Sequence, residues 1–262
     1  MPNVDEHTPG NFSWIELATT DQPSAKSFYT SLFGWEPQDL PTGPDDVYTM
    51  FSLGGRLTGG ALTLSHEERS SGIPPHWQLY IAVKDADDTV RRAEELGART
   101  IHPAFDVMTY GRMAVFQDPT GAYFSVWQAR EHRGMGIAGE NGAFCWADLQ
   151  TRDRERVANF YGSLFGWEFL PGKDKDFQGY LHIRNGEAYI GGLPPARTLP
   201  EGVPPHWLAY IQVADCDTLT AHAAQMGARI LAGPATVEGS LRFSVVADPQ
   251  GAVFALFQPQ FA

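Results

Sequence analysis

Two predicted strands of this chain carry a carboxylate and an imidazole. Glu16 follows Trp14 by two residues, and His76 precedes Gln78 by two residues. Side chains two residues apart on a strand share one face of the sheet, so Glu16 and His76 can converge there. A converging carboxylate and imidazole can exchange protons with a substrate, and both groups are also ligands of divalent metals.

The pair has a second copy, because Asp148 and His206 repeat the carboxylate and the imidazole further along the chain. Three interpretations are open: atypical metal ligands, acid–base or hydrogen-bonding groups for a ligand, and a plain structural role. Both histidines follow two prolines at the start of a strand, where a capping imidazole is common. The position therefore fits the structural role as well as the chemical ones.

The duplication extends over the whole sequence. The segment FYTSLFGWE from Phe28 returns 132 residues later as FYGSLFGWE from Phe160, and the segments PPHW and DPxGA return after 130 residues. An internal repeat with a period near half of the length indicates two copies of one domain. We place the first domain at residues 1–128, a charged, glycine-rich linker at 129–142 and the second domain at 143–262.

The composition limits the classes of partner. With 262 residues, 43% of them hydrophobic, the chain is long enough for two ordinary cores. The net charge of −12 disfavours nucleic acids and anionic membranes as partners. No apolar run reaches the ~18 residues of a membrane span, and no signal peptide is predicted. Cys145 and Cys216 occupy unmatched positions of the two copies, which predicts free thiols in a reducing cytoplasm.

Each copy is predicted to contain two βαβββ units. The first unit begins with an alternating strand at 12–18 and a helix at 24–32, which starts after Asp21 and stops at Gly34. The aromatic residues of this helix and of the turn after it match in both copies, so we expect them in the core. They are Phe28, Tyr29, Phe33 and Trp35, with Phe160, Tyr161, Phe165 and Trp167. The other predicted strands of the first copy lie at 47–53, 60–64, 77–83, 100–101, 112–117 and 123–128, with a helix at 86–96. The second copy has predicted strands at 144–149, 207–213, 242–246 and 253–258 and helices at 154–164 and 217–226.

Three repeated segments, FYxSLFGW, HWxxYIxV and DPxGAxF, resemble the vicinal oxygen chelate superfamily. That superfamily holds glyoxalase I, extradiol dioxygenases, fosfomycin-resistance enzymes and bleomycin-binding proteins, and the chain resembles its two-domain, glyoxalase-like members from actinomycetes. The resemblance implies an α+β fold of tandem βαβββ modules, with two glyoxalase-like domains that each surround a concave sheet. The sequence leaves open which units pair to form a cavity.

The resemblance also implies where a divalent metal would be bound, and this chain departs from it there. The implied ligand positions hold Trp14, Gln78 and Ser125 in the first copy. In the second copy they hold Trp146, Leu208 and Ala255. Indole and alkyl groups cannot ligate, and amide and hydroxyl oxygens are weak donors for a divalent ion. We therefore predict no resident metal or other cofactor, with a divalent ion as the disfavoured alternative.

Strand alternation predicts which side chains line the concave face. In the first copy they are Trp14, Glu16, His76, Gln78, Tyr80, Tyr123, Ser125 and Trp127, and in the second they are Trp146, Asp148, His206, Leu208, Tyr210, Val253, Ala255 and Phe257. Arg112 and its counterpart Arg242 are candidates for an anion clamp, although a structural ion pair is the commoner role. Aromatic walls with few polar groups favour a flat, partly polar organic ligand, and the first copy is the preferred pocket.

Three functions remain compatible with the sequence. The favoured one is a metal-independent small-molecule binder for an aromatic or polyketide-like metabolite. The first alternative is an enzyme, either a lyase or isomerase or a dioxygenase-type enzyme, which uses Glu16 and His76 as acid and base or as atypical metal ligands. The second alternative is a protein–protein adaptor on the same fold. The chain is expected to act as a monomer or homodimer.

Overall fold

The duplication produces two eight-stranded mixed sheets, each built from one half of the chain. The computed structural model describes residue 4 and residues 6–44, 46–172 and 179–260. The sheet orders are β2-β3-β4-β1-β5-β8-β7-β6 and β10-β11-β12-β9-β13-β16-β15-β14. The first half contains β1 (Phe12–Thr19), α1 (Gln22–Phe33), β2 (Glu36–Pro41), β3 (Val47–Leu53), β4 (Arg56–Thr63), α2 (His66–Ser70), β5 (His76–Ala82), α3 (Ala86–Glu95), β6 (Arg99–Val107), β7 (Gly111–Gln117) and β8 (Tyr123–Ala129).

The second half repeats this order, with a short 3-10 turn in place of α2. It contains β9 (Phe144–Gln150), α4 (Arg154–Phe165), β10 (Glu168–Pro171), β11 (Leu181–Asn185), β12 (Ala188–Leu193), the 3-10 turn (Ala196–Thr198), β13 (His206–Gln212), α5 (Cys216–Gln225), β14 (Arg229–Val237), β15 (Leu241–Ala247) and β16 (Val253–Pro259). The predicted α+β fold of paired βαβββ units is confirmed.

The two units of each half meet at their first strands. β1 pairs antiparallel with β5, and each of these strands has a parallel neighbour from its own unit, β4 or β8. The same arrangement holds β9 against β13. Units of the same half therefore form each sheet, which answers the question that the sequence left open.

Several elements were missed or misjudged in the sequence. β2 was not predicted, because its EPQDLP segment is mostly exposed and contains two prolines, as an edge strand tolerates. α2 is a short exposed turn of helix with no buried residue. The strand predicted at 100–101 extends over Arg99–Val107, since register shifts and solvent exposure remove its alternation.

The repeated motifs join the two halves. Tyr29 donates its hydroxyl hydrogen bond to Asp248 at 2.8 Å, and Tyr161 donates to Asp118 at 3.1 Å. The other oxygen of Asp118 accepts backbone N–H groups of its DPTG turn, and Asp248 does the same in its DPQG turn. The predicted core aromatics are buried, apart from the half-buried Phe165. Their cluster is continuous across both halves, so the main core is shared instead of being divided into one core per half. A small second cluster surrounds Leu208, Tyr210 and Ala255.

The segment predicted as a linker packs against the first sheet. Met135 donates its backbone N–H to Ser13, and Gly136 donates to Leu57. Both Met135 and Ile137 are buried. This packing places the residues after β8 along the concave face of the first half. Cys145 and Cys216 are free thiols, as predicted.

Candidate functional site

The concave face of the first sheet holds a cavity of about 380 Å³. β1, β3, β5 and β8 supply its floor, the β2–β3 and β6–β7 hairpins supply its mouth, and the segment after β8 closes one side. The lining residues are Trp14, Glu16, Leu40, Pro41, Thr42, Tyr48, Met50, Leu57, Tyr80, Val107, Met108, Tyr110, Met113, Trp127, Glu131 and His132. Four of the predicted lining residues are among them, namely Trp14, Glu16, Tyr80 and Trp127.

Glu16 lies at the centre of a buried hydrogen-bond network on the cavity floor. Tyr48 donates to one carboxylate oxygen and Tyr80 donates to the other, each at 2.7 Å. Trp14 in turn donates its indole N–H to the Tyr48 hydroxyl at 2.9 Å. Burial raises the pKa of Glu16, and burial together with the nearby Glu16 charge raises the pKa values of both phenols. Both oxygens of Glu16 are thus occupied by protein donors.

The backbone makes room for this network at Gly60. Gly60 pairs with Glu16 across β1 and β4, and a Cβ atom there would overlap the Tyr48 hydroxyl. Only glycine therefore lets the Tyr48 ring cross over β4 to reach the carboxylate. The second half has glycine at the matching position, Gly192, below Tyr180.

The structure does not bring His76 and Glu16 together as a hydrogen-bonded pair. Nδ1 of His76 lies 2.9 Å from the carbonyl oxygen of Pro74, and His76 is not among the cavity-lining residues. Its charge still contributes to lowering the pKa of Glu16, against the larger effect of burial. His206 makes the same contact with the carbonyl of Pro204. These contacts match the capping role that the sequence left open.

The implied metal positions do not form a suitable donor set. Gln78 donates to Ser125 at 3.0 Å, so these two side chains satisfy each other beside the cavity. Trp14 supplies an N–H donor and no ligand. Within the described parts of the chain, no three His, Cys, Asp or Glu side chains group as metal ligands would. The residues present therefore do not fit a divalent cation at this place.

Arg112 and Tyr123 are two of the predicted ligand-binding residues that do not line the cavity. The Arg112 guanidinium pairs with Asp87 at 2.8 Å and with Asp106 at 2.9 Å. Tyr123 is 45% exposed at the start of β8. Arg242 pairs with Asp217 in the same way as Arg112 with Asp87. The geometry favours the structural ion pair over the anion clamp for both arginines.

Sequence reasoning missed several residues of the cavity. Tyr48 could have been found from the internal repeat, because it recurs as Tyr180 with the same 132-residue offset that relates Trp14 to Trp146. Glu131 and His132 carried none, since they fall in the unrepeated segment after β8. The His132 ring packs edge-to-face on Trp14 at 4.5 Å between centroids. Burial lowers the pKa of His132 to about 4, so its imidazole is neutral near pH 7.

The second half contains a closely related network. Tyr180 and Tyr210 donate to the two oxygens of Asp148 at 2.6 and 2.8 Å, and Trp146 donates to Tyr180 at 2.8 Å. Burial raises the pKa of Asp148 to about 6. The network is therefore common to both halves, whereas the cavity of about 380 Å³ is lined by residues of the first half and the segment after it.

The described helices include none with the length and apolar character needed to cross a bilayer. The longest, α1 and α4, have 12 residues each.

Family comparison agrees with the fold and the duplication. The family model described as the glyoxalase/bleomycin resistance protein/dioxygenase superfamily matches residues 11–126 and again 144–256. The chain belongs to this superfamily, with one member domain in each half.

Two similar proteins from actinomycetes span nearly the same length. CFP32 of Mycobacterium tuberculosis, which is provisionally named a glyoxylase, is 38% identical over 99% of this chain and 98% of its own. The anthracycline biosynthesis protein DnrV of Streptomyces peucetius is 31% identical over 95% of this chain and 94% of its own.

Solved structures share the fold at low sequence identity. The Mn(II)-bound glyoxalase of Novosphingobium aromaticivorans has a TM-score of 0.64 at 16% identity, over 98% of this chain and 83% of that chain. The 2,3-dioxygenase LapB of Pseudomonas sp. KL28 has a TM-score of 0.63 at 14% identity, over 97% and 94%. These similarities concern the fold alone.

Proposed function

We propose that this chain binds a small, flat and largely apolar organic molecule in the cavity of its first half, without a resident metal ion. The observation that carries this proposal is a cavity walled by aromatic rings, in which the buried Glu16 carboxylate is hydrogen-bonded by Tyr48 and Tyr80. Its volume of about 380 Å³ lies in the range of small-molecule sites. The rings of Trp14, Tyr48, Tyr80 and Trp127 offer stacking and edge contacts to such a ligand.

An aromatic or polyketide-like metabolite is the ligand class that we infer. DnrV, at 31% identity, is named for anthracycline biosynthesis, and its similarity covers both halves of this chain. The apolar lining residues Pro41, at the end of β2, and Met108, in the turn after β6, are exposed to solvent. Apolar groups at a mouth suit a planar ligand that enters edge first and buries most of its surface.

An enzyme of glyoxalase-like lyase, isomerase or dioxygenase type is the second candidate. The observation in its favour is Glu16, a buried carboxylate on the cavity floor whose raised pKa is typical of acid–base residues. Against it, Tyr48 and Tyr80 occupy both carboxylate oxygens, and His76 is engaged by Pro74. If Glu16 transfers a proton in turnover, Glu16→Gln abolishes that turnover while affinity for the ligand is largely kept.

A cavity-filling variant with a matched control tests the binding proposal. Met113 lines the cavity on β7, and its counterpart by the 130-residue offset is Phe243 on β15. We expect Met113→Trp to weaken binding of naphthalene- and anthraquinone-type probes at least about tenfold, because the indole takes up the ligand's space. Phe243→Trp should leave the affinity unchanged.

Isothermal titration calorimetry of both variants gives the decision. If Phe243→Trp weakens binding and Met113→Trp does not, the ligand binds in the second half. The absence of binding for every aromatic probe at millimolar concentration would contradict the proposed function itself.

A further inference from the structure

No described residue that lines the first-half cavity carries a positive charge at neutral pH. The described lining residues include two carboxylates, Glu16 and Glu131, and one imidazole, His132, but no lysine or arginine. The whole chain has the same bias, with 31 acidic and 19 basic residues. A cavity of this composition has a negative electrostatic potential unless a cation lies close by.

The floor of the cavity places a carboxylate behind aromatic rings. Tyr48 and Tyr80 both donate to Glu16, and Trp14 donates to Tyr48. A phenol that donates to a carboxylate has a more electron-rich ring, and ring faces already attract cations. The floor therefore favours a positive group over a negative one.

The cavity lining includes a second carboxylate, on the segment after β8. Thr109, in the turn between β6 and β7, donates its hydroxyl to Glu131 at 2.6 Å. Glu131 is exposed and lines the cavity, so a ligand that enters passes beside it. In the same turn Met108 is 61% exposed and has a φ of 47°, which is unusual for a residue other than glycine. This backbone conformation is the kind of local strain that is found at ligand sites.

Three basic groups near the cavity are either neutral or paired with a carboxylate. Burial holds the pKa of His132 at about 4, so its ring is uncharged at neutral pH. Arg112 on β7 and Arg130 directly after β8 are not lining residues, and both pair with Asp106. Their charges are thus balanced by a carboxylate that does not line the cavity.

We propose that the ligand of this cavity is a cation, a flat apolar ring system that carries a protonated amino group. This proposal rests on the proposed function, because it assigns the charge of the molecule that the first-half cavity binds. The ring system lies against Trp14 and Trp127, and the ammonium group lies towards Glu131, over the faces of the cavity aromatics. An anionic ligand of the same shape is repelled by Glu16 and Glu131.

Three probes with one ring system and different charges test the assignment. They are 2-naphthylmethylamine, which is protonated at pH 7, the neutral 2-naphthylmethanol and the anionic 2-naphthoate. By calorimetry at pH 7 and low salt, we expect the amine to bind about fivefold more tightly than the alcohol, and the carboxylate to bind most weakly. Added salt should reduce the difference between the amine and the alcohol.

A charge-neutral variant locates the effect. Glu131→Gln should bring the ratio of amine to alcohol affinity towards one, whereas Glu95→Gln, on the exposed end of α3, should leave the ratio unchanged. An alcohol that binds as tightly as the amine, or a ratio that both variants lower equally, would overturn the cationic ligand while the binding function stands. If none of the three probes binds, the proposed function fails as well.

Discussion

The two halves of this chain share a buried network, and the cavity described above lies over the copy in the first half. Trp14, Tyr48, Glu16 and Tyr80 in the first half correspond to Trp146, Tyr180, Asp148 and Tyr210 in the second. The first-half network forms the floor of a cavity of about 380 Å³, which the unrepeated segment after β8 helps to enclose. The carboxylate network is thus common to both copies, and the segment outside the repeat contributes Glu131 and His132 to the lining of the first-half cavity.

The largest losses of stability are expected from substitutions at the contacts that join the two halves. The equivalent substitutions in the two repeated motifs should cost the same amount. Asp118→Ala and Asp248→Ala each leave a buried tyrosine hydroxyl and several turn N–H groups without their acceptor. We expect each to lower the free energy of unfolding by about 2–4 kcal/mol. Urea denaturation measures this, with the exposed Glu95→Ala as control. A loss in one variant only would show that the two contacts are not equivalent.

The next largest effect, on ligand affinity, should differ between equivalent substitutions in the two halves. Trp14→Phe removes part of the cavity wall and the N–H donor to Tyr48, and Trp146→Phe makes the matching change in the second half. We expect Trp14→Phe to weaken an aromatic ligand about threefold to tenfold and Trp146→Phe to leave its affinity unchanged. Calorimetry with the same probe decides. Equal losses in both variants would mean that the ligand is not confined to the first half.

The pH dependence of stability should have opposite signs for His132 and Asp148. The folded-state pKa of His132 is about 4, below its usual 6.5, so the unfolded chain takes up the proton first and stability falls as the pH drops from about 6.5 to 4. The pKa of Asp148 is about 6, above its usual 3.8, so its contribution is lost as the pH rises through about 6.

Denaturation curves between pH 4 and 7 separate these two contributions. Relative to His132→Gln, the wild-type chain should lose stability on acidification. Relative to Asp148→Asn, it should lose stability as the pH rises. A stability difference that stays constant with pH in either comparison would contradict the burial of that group.

The smallest effect is expected outside the cavity. Arg112 pairs with Asp87 and Asp106 on an exposed part of the first half, as Arg242 pairs with Asp217 in the second. We expect Arg112→Gln and Arg242→Gln both to leave ligand affinity unchanged, because neither side chain lines the cavity. A weaker affinity for an anionic probe in Arg112→Gln alone would restore the anion clamp that the sequence allowed.

Much of the fold followed from the sequence because the duplicated motifs occur at positions that packing requires. Alternation along β1, β5 and β8 was enough to place Trp14, Glu16, Tyr80 and Trp127 on one face. The sequence did not predict that Tyr29 and Asp248 join the halves. Each copy contains both motifs, but the tyrosine of one copy contacts the aspartate of the other copy.

The rest of the site depends on contacts between distant segments, which the alternation of residues along a strand does not predict. Tyr48 reaches Glu16 only because the sheet curves and Gly60 leaves space. His132 comes from a segment with no strand or helix pattern, and it reaches Trp14 through the backbone contacts of Met135 and Gly136. The structure therefore has a carboxylate that accepts hydrogen bonds from two phenols, where the sequence predicted a carboxylate–imidazole pair.

A crystal structure of the chain in complex with 2-naphthylmethylamine tests most directly whether one half alone carries the site. We predict one probe per chain, with its rings against Trp14 and Trp127 and its amino group towards Glu131. A probe bound over Trp146 and Tyr210, with the first-half cavity empty, would contradict the specialisation of the first copy.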